Sequence, residues 1–356
     1  NWGQIIYVYE GYVLNQDVEF YQALPKVDLH RHLEGSLRLS TMREVSRTLG
    51  LNLPGTSRLR SMVEIQEEEP YTFQNFLSKF ETLRLFYRSP EIIARITREA
   101  IHDAAADNVR YMELRFTPVA LSRIEGFPLS EVIDWVITGT KQAKRECGID
   151  VGLIISVNRH ESPQLAEKVI HLAIDRRLDG IVGIDLAGNE AHFPALPFAD
   201  IFQEARQAGL HITVHAGEWG GAQNIAEAIE VLGAERIGHG IRVLEDMYVT
   251  ALASERGTIF EVCVTSNYQS GAISKIKEHP LPRMLAAGLK VTINTDDPSI
   301  SRITLSDEYR LLGEELGLTY HELHGLVRAG IQAAFLSEEQ RSTLSHAFKA
   351  KLAPCD

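Results

Sequence analysis

The sequence predicts an α/β protein with the (β/α)8 TIM-barrel fold, on two observations. Eight short runs of apolar and β-branched residues recur along the 356-residue chain, and longer segments with apolar residues at three- and four-residue spacing separate them. Strands that alternate with helices in this way are typical of a parallel sheet covered by helices. An open doubly wound sheet is the alternative, because a strand count alone does not exclude it.

Each of the eight runs has the length of a single strand and is followed by a segment of helical periodicity or by turn residues. The predicted strands are Lys26–His32, Val109–Phe116, Val151–Val157, Ile181–Ala187, His211–His215, Arg236–Gly240, Ile259–Val264 and Lys290–Thr295.

The first connection, residues 33–108, is much longer than the others, and we expect several helices in it, the last over Glu91–Ala106. Within Tyr71–Tyr87, apolar residues fall on roughly one face of a helix. They are Phe73, Phe76, Leu77, Phe80 and Leu83. A long βα connection at the active-site face often forms a lid or a pocket wall. Ordinary core packing explains the same stripe equally well.

Later segments of helical periodicity include Ala222–Leu232. After Pro298 the chain is predicted to be helical to its end, with Ser306–Leu316, Tyr320–Ala334 and Glu338–Lys351 packed around the barrel. Length suggests roughly two domains at about 150 residues each, but α/β barrels run to about 250 residues or more as one unit. We therefore expect a single barrel domain over 1–356, with an N-terminal extension (1–23) and C-terminal helices (299–356).

Charge and cysteine content limit the function. Acidic residues outnumber basic ones, 48 to 36, for a net charge of −12, which disfavours binding to nucleic acid or to an anionic membrane. No apolar run approaches the roughly 20 residues of a membrane span. The three cysteines, Cys147, Cys263 and Cys355, form no disulfide framework, so we expect a cytoplasmic protein. Any metal site must then use histidine and carboxylate ligands.

Residues able to bind a metal stand at the carboxyl ends of four predicted strands, which meet at one face of a barrel. His30 and His32 are two residues apart in an extended segment, so both side chains point to the same side. The full set is His30 and His32 on strand one, His215 and Glu218 at strand five, His239 at strand six, and Asp296 and Asp297 at strand eight.

Three imidazoles and a carboxylate suit Zn²⁺, and Fe²⁺, Mn²⁺ or Co²⁺ also fit. A metal of this kind lowers the pKa of bound water toward neutrality, so that hydroxide forms at pH 7. A nearby His or Asp then takes the water proton, and a Glu protonates the electrophile.

Each of these residues also has an ordinary explanation. The Asp296-Asp297-Pro298 segment, for example, suits a helix N-terminus. Four strand ends with compatible ligands favour the functional interpretation. The remaining histidines are assigned no role: His102, His160, His171, His192, His211, His279, His321, His324 and His346.

Six segments, in order along nearly the whole chain, resemble the adenosine deaminase family of the metal-dependent hydrolase superfamily. They are Leu24–Gly35 (LPKVDLHRHLEG), Asp185–Glu190 (DLAGNE), Val214–Glu218 (VHAGE), Arg236–Gly240 (RIGHG), Glu261–Ser266 (EVCVTS) and Val291–Pro298 (VTINTDDP). The family fold is a (β/α)8 barrel, which agrees with the strand count.

The resemblance implies a role for each matching position. One Zn²⁺ per chain would be held by His30, His32, His215 and Asp296. Glu218 would donate a proton to purine N1, while His239 and Asp296 would orient and deprotonate the zinc-bound water. Water would add at C6 and ammonia would leave.

The resemblance also implies the substrate contacts. Asp297 would hydrogen-bond to purine N7, and the backbone of Gly188 would meet N3. The stretch with Phe73, Phe76, Leu77 and Phe80 matches the helix that walls the family's substrate pocket. We therefore expect hydrolysis of adenosine and 2′-deoxyadenosine to inosine and 2′-deoxyinosine, as part of purine salvage, with a small nucleoside and water as partners.

Two features separate this expectation from related enzymes, and a third departs from the family's usual pattern. The His-x-Glu and Pro-Cys-x-x-Cys signature of cytosine and polynucleotide deaminases is absent. Strand four ends without the lysine that bridges two metals in binuclear relatives, so we expect a single metal. Glu34 stands where adenosine deaminases usually have the Asp that contacts ribose. It either still reaches the ribose or reflects a different N9 substituent, as in deaminases of adenine or 6-amino-6-deoxyfutalosine.

A hydrolase of another amide or phosphoester bond, and a non-catalytic barrel used for binding, are further alternatives. The intact set of metal-binding and acidic residues argues against the second.

Overall fold

The computed structural model describes residues 13–51 and 53–349. In it, eight parallel strands form one sheet in the order β1 to β8. Each strand pairs with the next along the chain, so the predicted (β/α)8 architecture is confirmed. The strands are β1 Lys26–His32, β2 Val109–Phe116, β3 Asp150–Asn158, β4 Ile181–Ala187, β5 His211–Ala216, β6 Arg236–His239, β7 Ile259–Val262 and β8 Lys290–Ile293.

Polar contacts join β8 to β1 and nearly close the barrel. The side-chain Oδ1 of Asn294 accepts a hydrogen bond of 2.9 Å from the Leu29 amide. The Asp296 amide donates to His30 O, and the His32 amide donates to Asp296 O, both at 2.8 Å. The alternative of an open doubly wound sheet is therefore wrong.

The predicted ends of β6, β7 and β8 were one or two residues too late. His239 and Gly240 both have a φ of 63°, a left-handed conformation that stops strand pairing. A helix begins at Val264, directly after β7. These early ends matter because the residues just beyond them carry the site.

Helices follow the strands as predicted. Those up to β5 are α1 Val13–Ala23, α2 Leu39–Thr48, α3 Thr56–Val63, α4 Phe73–Leu83, α5 Pro90–Ala106, α6 Pro118–Ser122, α7 Leu129–Cys147, α8 Pro163–Asp175 and α9 Ala199–Gln207. The remainder are α10 Ala222–Glu230, α11 Met247–Arg256, α12 Val264–Gln269, α13 Leu281–Ala286, α14 Pro298–Ser301, α15 Leu305–Glu314, α16 Tyr320–Ala333 and α17 Glu338–Lys349. Short 3-10 turns lie at Arg84–Phe86, Arg177–Asp179, Leu196–Phe198, Val243–Glu245 and Ile276–Glu278.

The long first connection contains α2 to α5. Side-chain caps begin its last two helices: Thr72 accepts from the Asn75 amide at α4, and Ser89 accepts from the Ile92 amide ahead of Pro90 at α5.

The C-terminal helices were predicted to within two residues. α16 packs against β1 and β8 on the outside of the barrel, where a Cβ on Gly330 would lie 3.3 Å from Val27 Cβ. This close approach lets the helix cover the joint between the first and last strands. The predicted end of the last helix at Lys351, Cys355 and the first half of the expected N-terminal extension lie outside the described residues.

No helix among the described residues is long and apolar enough to span a bilayer.

Candidate metal centre and active site

Four predicted metal ligands meet at the carboxyl end of the barrel. Ligand atoms of His30, His32, His215 and Asp296 all lie within 4.8 Å of one another. Asp296 Oδ1 lies 3.2 Å from His30 Nε2 and 3.3 Å from His32 Nε2. The Nε2 atoms of His32 and His215 are 3.3 Å apart. Residues separated by as many as 266 positions in sequence thus converge on one point.

Backbone strain marks this point. Asp296 has a φ of 61° and His239 a φ of 63°, although a side chain disfavours the left-handed region by about 1–3 kcal/mol. The amide and carbonyl of Asp296 are both bonded to β1, which holds the conformation. Strain of this kind is concentrated at functional sites.

The donor set fits a zinc ion. His30 Nδ1 is bonded to Glu261 Oε2 at 2.7 Å, and His215 Nδ1 to Asp185 Oδ1 at 2.9 Å. Each carboxylate fixes the proton on Nδ1, which leaves the Nε2 lone pair directed at the centre. His30 Nε2 is buried and makes no hydrogen bond with the described residues. A bound cation would satisfy it, and three nitrogens with one oxygen suit Zn²⁺.

Buried arginines hold these carboxylates in place. Arg115 donates to Glu261 at 2.7 Å and lies 3.5 Å from Asp185 Oδ2. Arg236 Nε lies 2.6 Å from Glu261 Oε1 and also pairs with Glu113. Burial alone would raise the pKa of Glu261, but Arg115 and Arg236 hold it well below its usual value. Glu261 therefore stays ionised and keeps accepting from His30.

Glu218 is placed to be a proton donor. Burial, followed by the nearby charges of Asp296 and Glu190, raises the pKa of Glu218 well above its ordinary value, which favours the protonated carboxyl group that a proton donor needs. Ser270 Oγ donates to its Oε1 at 3.2 Å. Its Oε2 lies 3.5 Å from His239 Nε2.

The loop that carries Glu218 is held by one carboxylate. Glu190 accepts backbone hydrogen bonds from Gly217 and Glu218 at 2.7 Å and from Trp219 at 2.8 Å. Three bonds from one side chain fix the turn after β5, in which Gly217 has a φ of 70°.

A cavity opens directly above the metal ligands, with about 680 Å³ of empty space, part of it open to solvent. Eleven residues singled out from the sequence line it: His32, Glu34, Phe76, Leu77, Phe80, Gly188, His215, Glu218, His239, Asp296 and Asp297. His30 lies beneath the floor. Phe73 is not on the wall; its ring packs instead on Trp219, 5.4 Å between centroids, and Trp219 lines the cavity.

Several polar atoms of the cavity wall are buried without a hydrogen-bond partner among the described residues. They are Glu34 Oε2, Asp297 Oδ1, Trp219 Nε1 and Arg84 Nε. Unpaired buried polar atoms are unfavourable by about 1–3 kcal/mol each, so a polar ligand that pairs with them gains affinity.

Two wall carboxyls are perturbed by their surroundings. Burial raises the pKa of Glu34 to about 7, although its Oε1 accepts from the Thr117 amide at 2.7 Å. Burial and the charges of Asp296 and Glu34 raise the pKa of Asp297 well above its usual value. Gly35 gives Asp297 room, because a Cβ there would lie 1.8 Å from its Oδ1.

Sequence reasoning missed the carboxylates behind the ligands and part of the wall. Asp185 and Glu261 lay within segments quoted for the resemblance, but neither was given a role. Charged residues inside otherwise apolar predicted strands were the available signal, since such groups are rarely buried unless paired. Trp219, Arg84, Thr117 and Asn158 also line the cavity, and no sequence pattern pointed to them.

Among the histidines assigned no role, His102, His171 and His211 pair with surface glutamates. His279 differs, because it is 3% exposed and is hydrogen-bonded to Asn267, which contacts His239.

Comparison with known proteins gives a consistent result. The family model described as adenosine deaminase matches residues 25–351. The curated adenosine deaminase of Serratia proteamaculans is 38% identical over 323 residues, which cover 90% of this chain and 97% of that protein.

Solved structures agree. The adenine deaminase of Arthrobacter aurescens superposes with a TM-score of 0.86 at 29% identity, covering 93% of this chain and 100% of the other. An amidohydrolase from Burkholderia ambifaria with bound Zn gives a TM-score of 0.84 at 28% identity, covering 94% of this chain and 92% of the other.

Proposed function

Because the chain belongs to the adenosine deaminase family, it is a hydrolytic aminohydrolase, and we propose that its substrates are adenosine and 2′-deoxyadenosine. The products are inosine or 2′-deoxyinosine and ammonia. One observation carries this proposal: a cluster of three histidines and one aspartate lies beside Glu218, whose pKa is raised by burial, at the floor of one cavity.

His30, His32, His215 and Asp296 would hold one zinc ion per chain. When bound, zinc supplies a Lewis acid that lowers the pKa of water toward neutrality. The carboxylates of Glu261 and Asp185 orient two of the three imidazoles for this task.

The attacking water is oriented and deprotonated by Asp296 and His239, which both line the cavity floor. Ser266 Oγ donates to Asp296 Oδ2 at 2.6 Å, which fixes the carboxylate while leaving it able to accept a further proton.

Glu218 transfers its proton to purine N1, which makes C6 electrophilic. The water oxygen then bonds to C6 and gives its proton to Asp296, so that C6 becomes tetrahedral. Passage of that proton to the 6-amino group lets the C6–N bond break, and ammonia leaves. The remaining water proton leaves O6 as the C6=O bond forms, and it replaces the proton that Glu218 gave up. The proton on N1 stays with the product.

The wall supplies recognition. The raised pKa of Asp297 favours its protonated form, which donates to N7, because N7 has only a lone pair to offer. The backbone of Gly188 meets N3. Phe76, Leu77 and Phe80 cover the base, and Phe73 acts indirectly by packing on Trp219. Glu34, with its unpaired Oε2, faces the substituent on N9.

An ammonia-release screen tests the substrate. It compares adenosine, 2′-deoxyadenosine, adenine, N6-methylated purines and 6-amino-6-deoxyfutalosine at equal concentration, with zinc-loaded protein. We expect the two nucleosides to give the highest kcat/KM. A higher kcat/KM for adenine than for adenosine would mean that the pocket beside Glu34 does not hold a ribose. Ammonia from none of them would overturn the proposal.

A further inference from the structure

A chain of hydrogen bonds runs behind His239, on the side away from the cavity. The backbone amide of Leu281 donates to His279 Nδ1 at 3.0 Å. His279 Nε2 lies 3.3 Å from Asn267 Oδ1, and Asn267 Nδ2 lies 3.0 Å from His239 Nδ1. All three side chains are at most 3% exposed, so solvent does not compete for these bonds.

The direction of every bond in this chain follows from its first member. A backbone N–H can only donate, so His279 Nδ1 carries no proton and His279 Nε2 must carry one. The Nε2–H donates to Asn267, which fixes the carboxamide with its oxygen toward His279. The amide nitrogen therefore faces His239 and donates to Nδ1.

The protonation state of His279 agrees with this order. Burial lowers the pKa of His279 to about 3, so the ring is neutral at physiological pH, with a single proton to place.

We propose that His279 and Asn267 are positioning residues that hold the proton of His239 on Nε2. His239 then donates a hydrogen bond to the oxygen of the attacking water, while Asp296 takes the proton that this water loses. This inference rests on the proposed function and divides the work of the two residues on the cavity floor. A ring nitrogen that already carries a proton is unable to accept another from water or to bind a metal.

The surroundings of His239 hold the ring in the required place. Its Nε2 faces Glu218 Oε2 at 3.5 Å and Asp296 Oδ2 at 4.0 Å, so the N–H points between the proton donor and the proton acceptor. The glycines on either side leave no room for larger residues. A Cβ on Gly238 would lie 2.9 Å from His30 Cε1, and one on Gly240 would lie 2.2 Å from Phe260.

Nitrogen NMR reads the tautomer directly and needs no variant. Zinc-loaded protein labelled with ¹⁵N-histidine is measured at neutral pH, and the His239 signals are assigned by their loss in His239→Gln. We expect Nε2 protonated and Nδ1 unprotonated. The opposite pattern in the native protein would overturn the inference.

Variants of His279 test the chain of hydrogen bonds at the end away from His239, since His279 touches neither Glu218 nor the metal ligands. His279→Phe removes the donor to Asn267, and we expect kcat to fall about tenfold or more. This is less than the roughly 10²–10³ lost when an oriented donor is itself removed, because His239 stays in place, and KM should stay within about twofold. His279→Gln should recover most of kcat, because its amide oxygen can accept from Leu281 and its nitrogen can donate to Asn267. Full activity and an unchanged tautomer in His279→Phe would refute a positioning role.

His171→Phe on the surface of α8 is the matched control and should leave kcat, zinc content and melting temperature unchanged. Asn267→Asp is a second test of the tautomer. A carboxylate accepts a hydrogen bond rather than donating one, so the proton of His239 should move to Nδ1 while zinc remains bound. Failure to move it would contradict the inference. If the native protein releases no ammonia from any purine, the proposed function fails, and the NMR result still decides the tautomer.

Discussion

Replacing Glu218 by Gln should abolish most turnover while leaving the metal in place. The side chains have the same shape, and Gln keeps an oxygen to accept from Ser270, now 3.2 Å from Glu218 Oε1. Glu218 is not among the four clustered ligands, so zinc binding should persist. The amide, however, has no proton to transfer to N1.

The expected size of the loss follows from the role. General acid catalysis contributes about 10²–10⁴ in rate, which corresponds to about 2.7–5.5 kcal/mol at 1.36 kcal/mol per factor of ten. Burial raises the pKa of Glu218, which favours the protonated form that donates to N1. We therefore expect kcat for adenosine to fall at least 100-fold, with KM changed by less than about threefold, as for a group that acts in the transition state.

The assay follows conversion of adenosine to inosine by ultraviolet absorbance, alongside zinc per chain and the melting temperature. Glu167→Gln on the exposed face of α8 is the matched control and should behave like the native protein. A kcat within a few-fold of native for Glu218→Gln would refute the assignment of the acid. Loss of zinc in the same variant would refute the separation of acid and metal ligands.

Three further outcomes are expected. Asp185→Asn should weaken zinc binding by about 10–100-fold, measured by competition with a chelator, because the carboxylate that orients His215 is lost; unchanged affinity would contradict the geometry. Gly35→Ala should raise KM for adenosine at constant zinc content, because the new Cβ would lie 1.8 Å from Asp297 Oδ1 and must displace it; a native KM would argue against Asp297 as a substrate contact. Because the pKa of His279 is about 3 in the folded state, against an ordinary value of 6.5, protons bind the unfolded chain preferentially between these two pH values. The native protein should therefore lose stability as the pH falls below about 6.5. Between pH 7 and pH 5, the free energy of unfolding measured with denaturant should fall by about 2 kcal/mol less in His279→Phe than in the native protein.

The strands and the metal ligands were predictable because they depend on local patterns. Apolar runs located all eight strands, and the two-residue spacing of His30 and His32 placed both on one side of β1. Since strand ends of a barrel meet at one face, ligands at three strand ends implied a single centre. The structure brings His30, His32, His215 and Asp296 together.

What the sequence left open depends on contacts between distant residues. The left-handed conformation of His239 ends β6 one residue before the predicted end, and Asp296 also has a positive φ. Neither was foreseen, because a non-glycine residue gives no local sign of a positive φ. The family resemblance placed Phe73 on the cavity wall with its helical neighbours, yet neither the resemblance nor periodicity distinguishes the cavity from Trp219 beside it. The link between His279 and His239 passes through Asn267, and no spacing in sequence indicates it.

Zinc titration of the metal-free protein, with inosine formation from adenosine as the readout, decides whether one bound zinc ion is what turnover requires. We predict no detectable turnover without metal and activity that rises linearly and levels off at one zinc per chain, as a single cluster of His30, His32, His215 and Asp296 requires. Full turnover in metal-free protein, or a plateau reached only at two zinc ions per chain, would contradict the account.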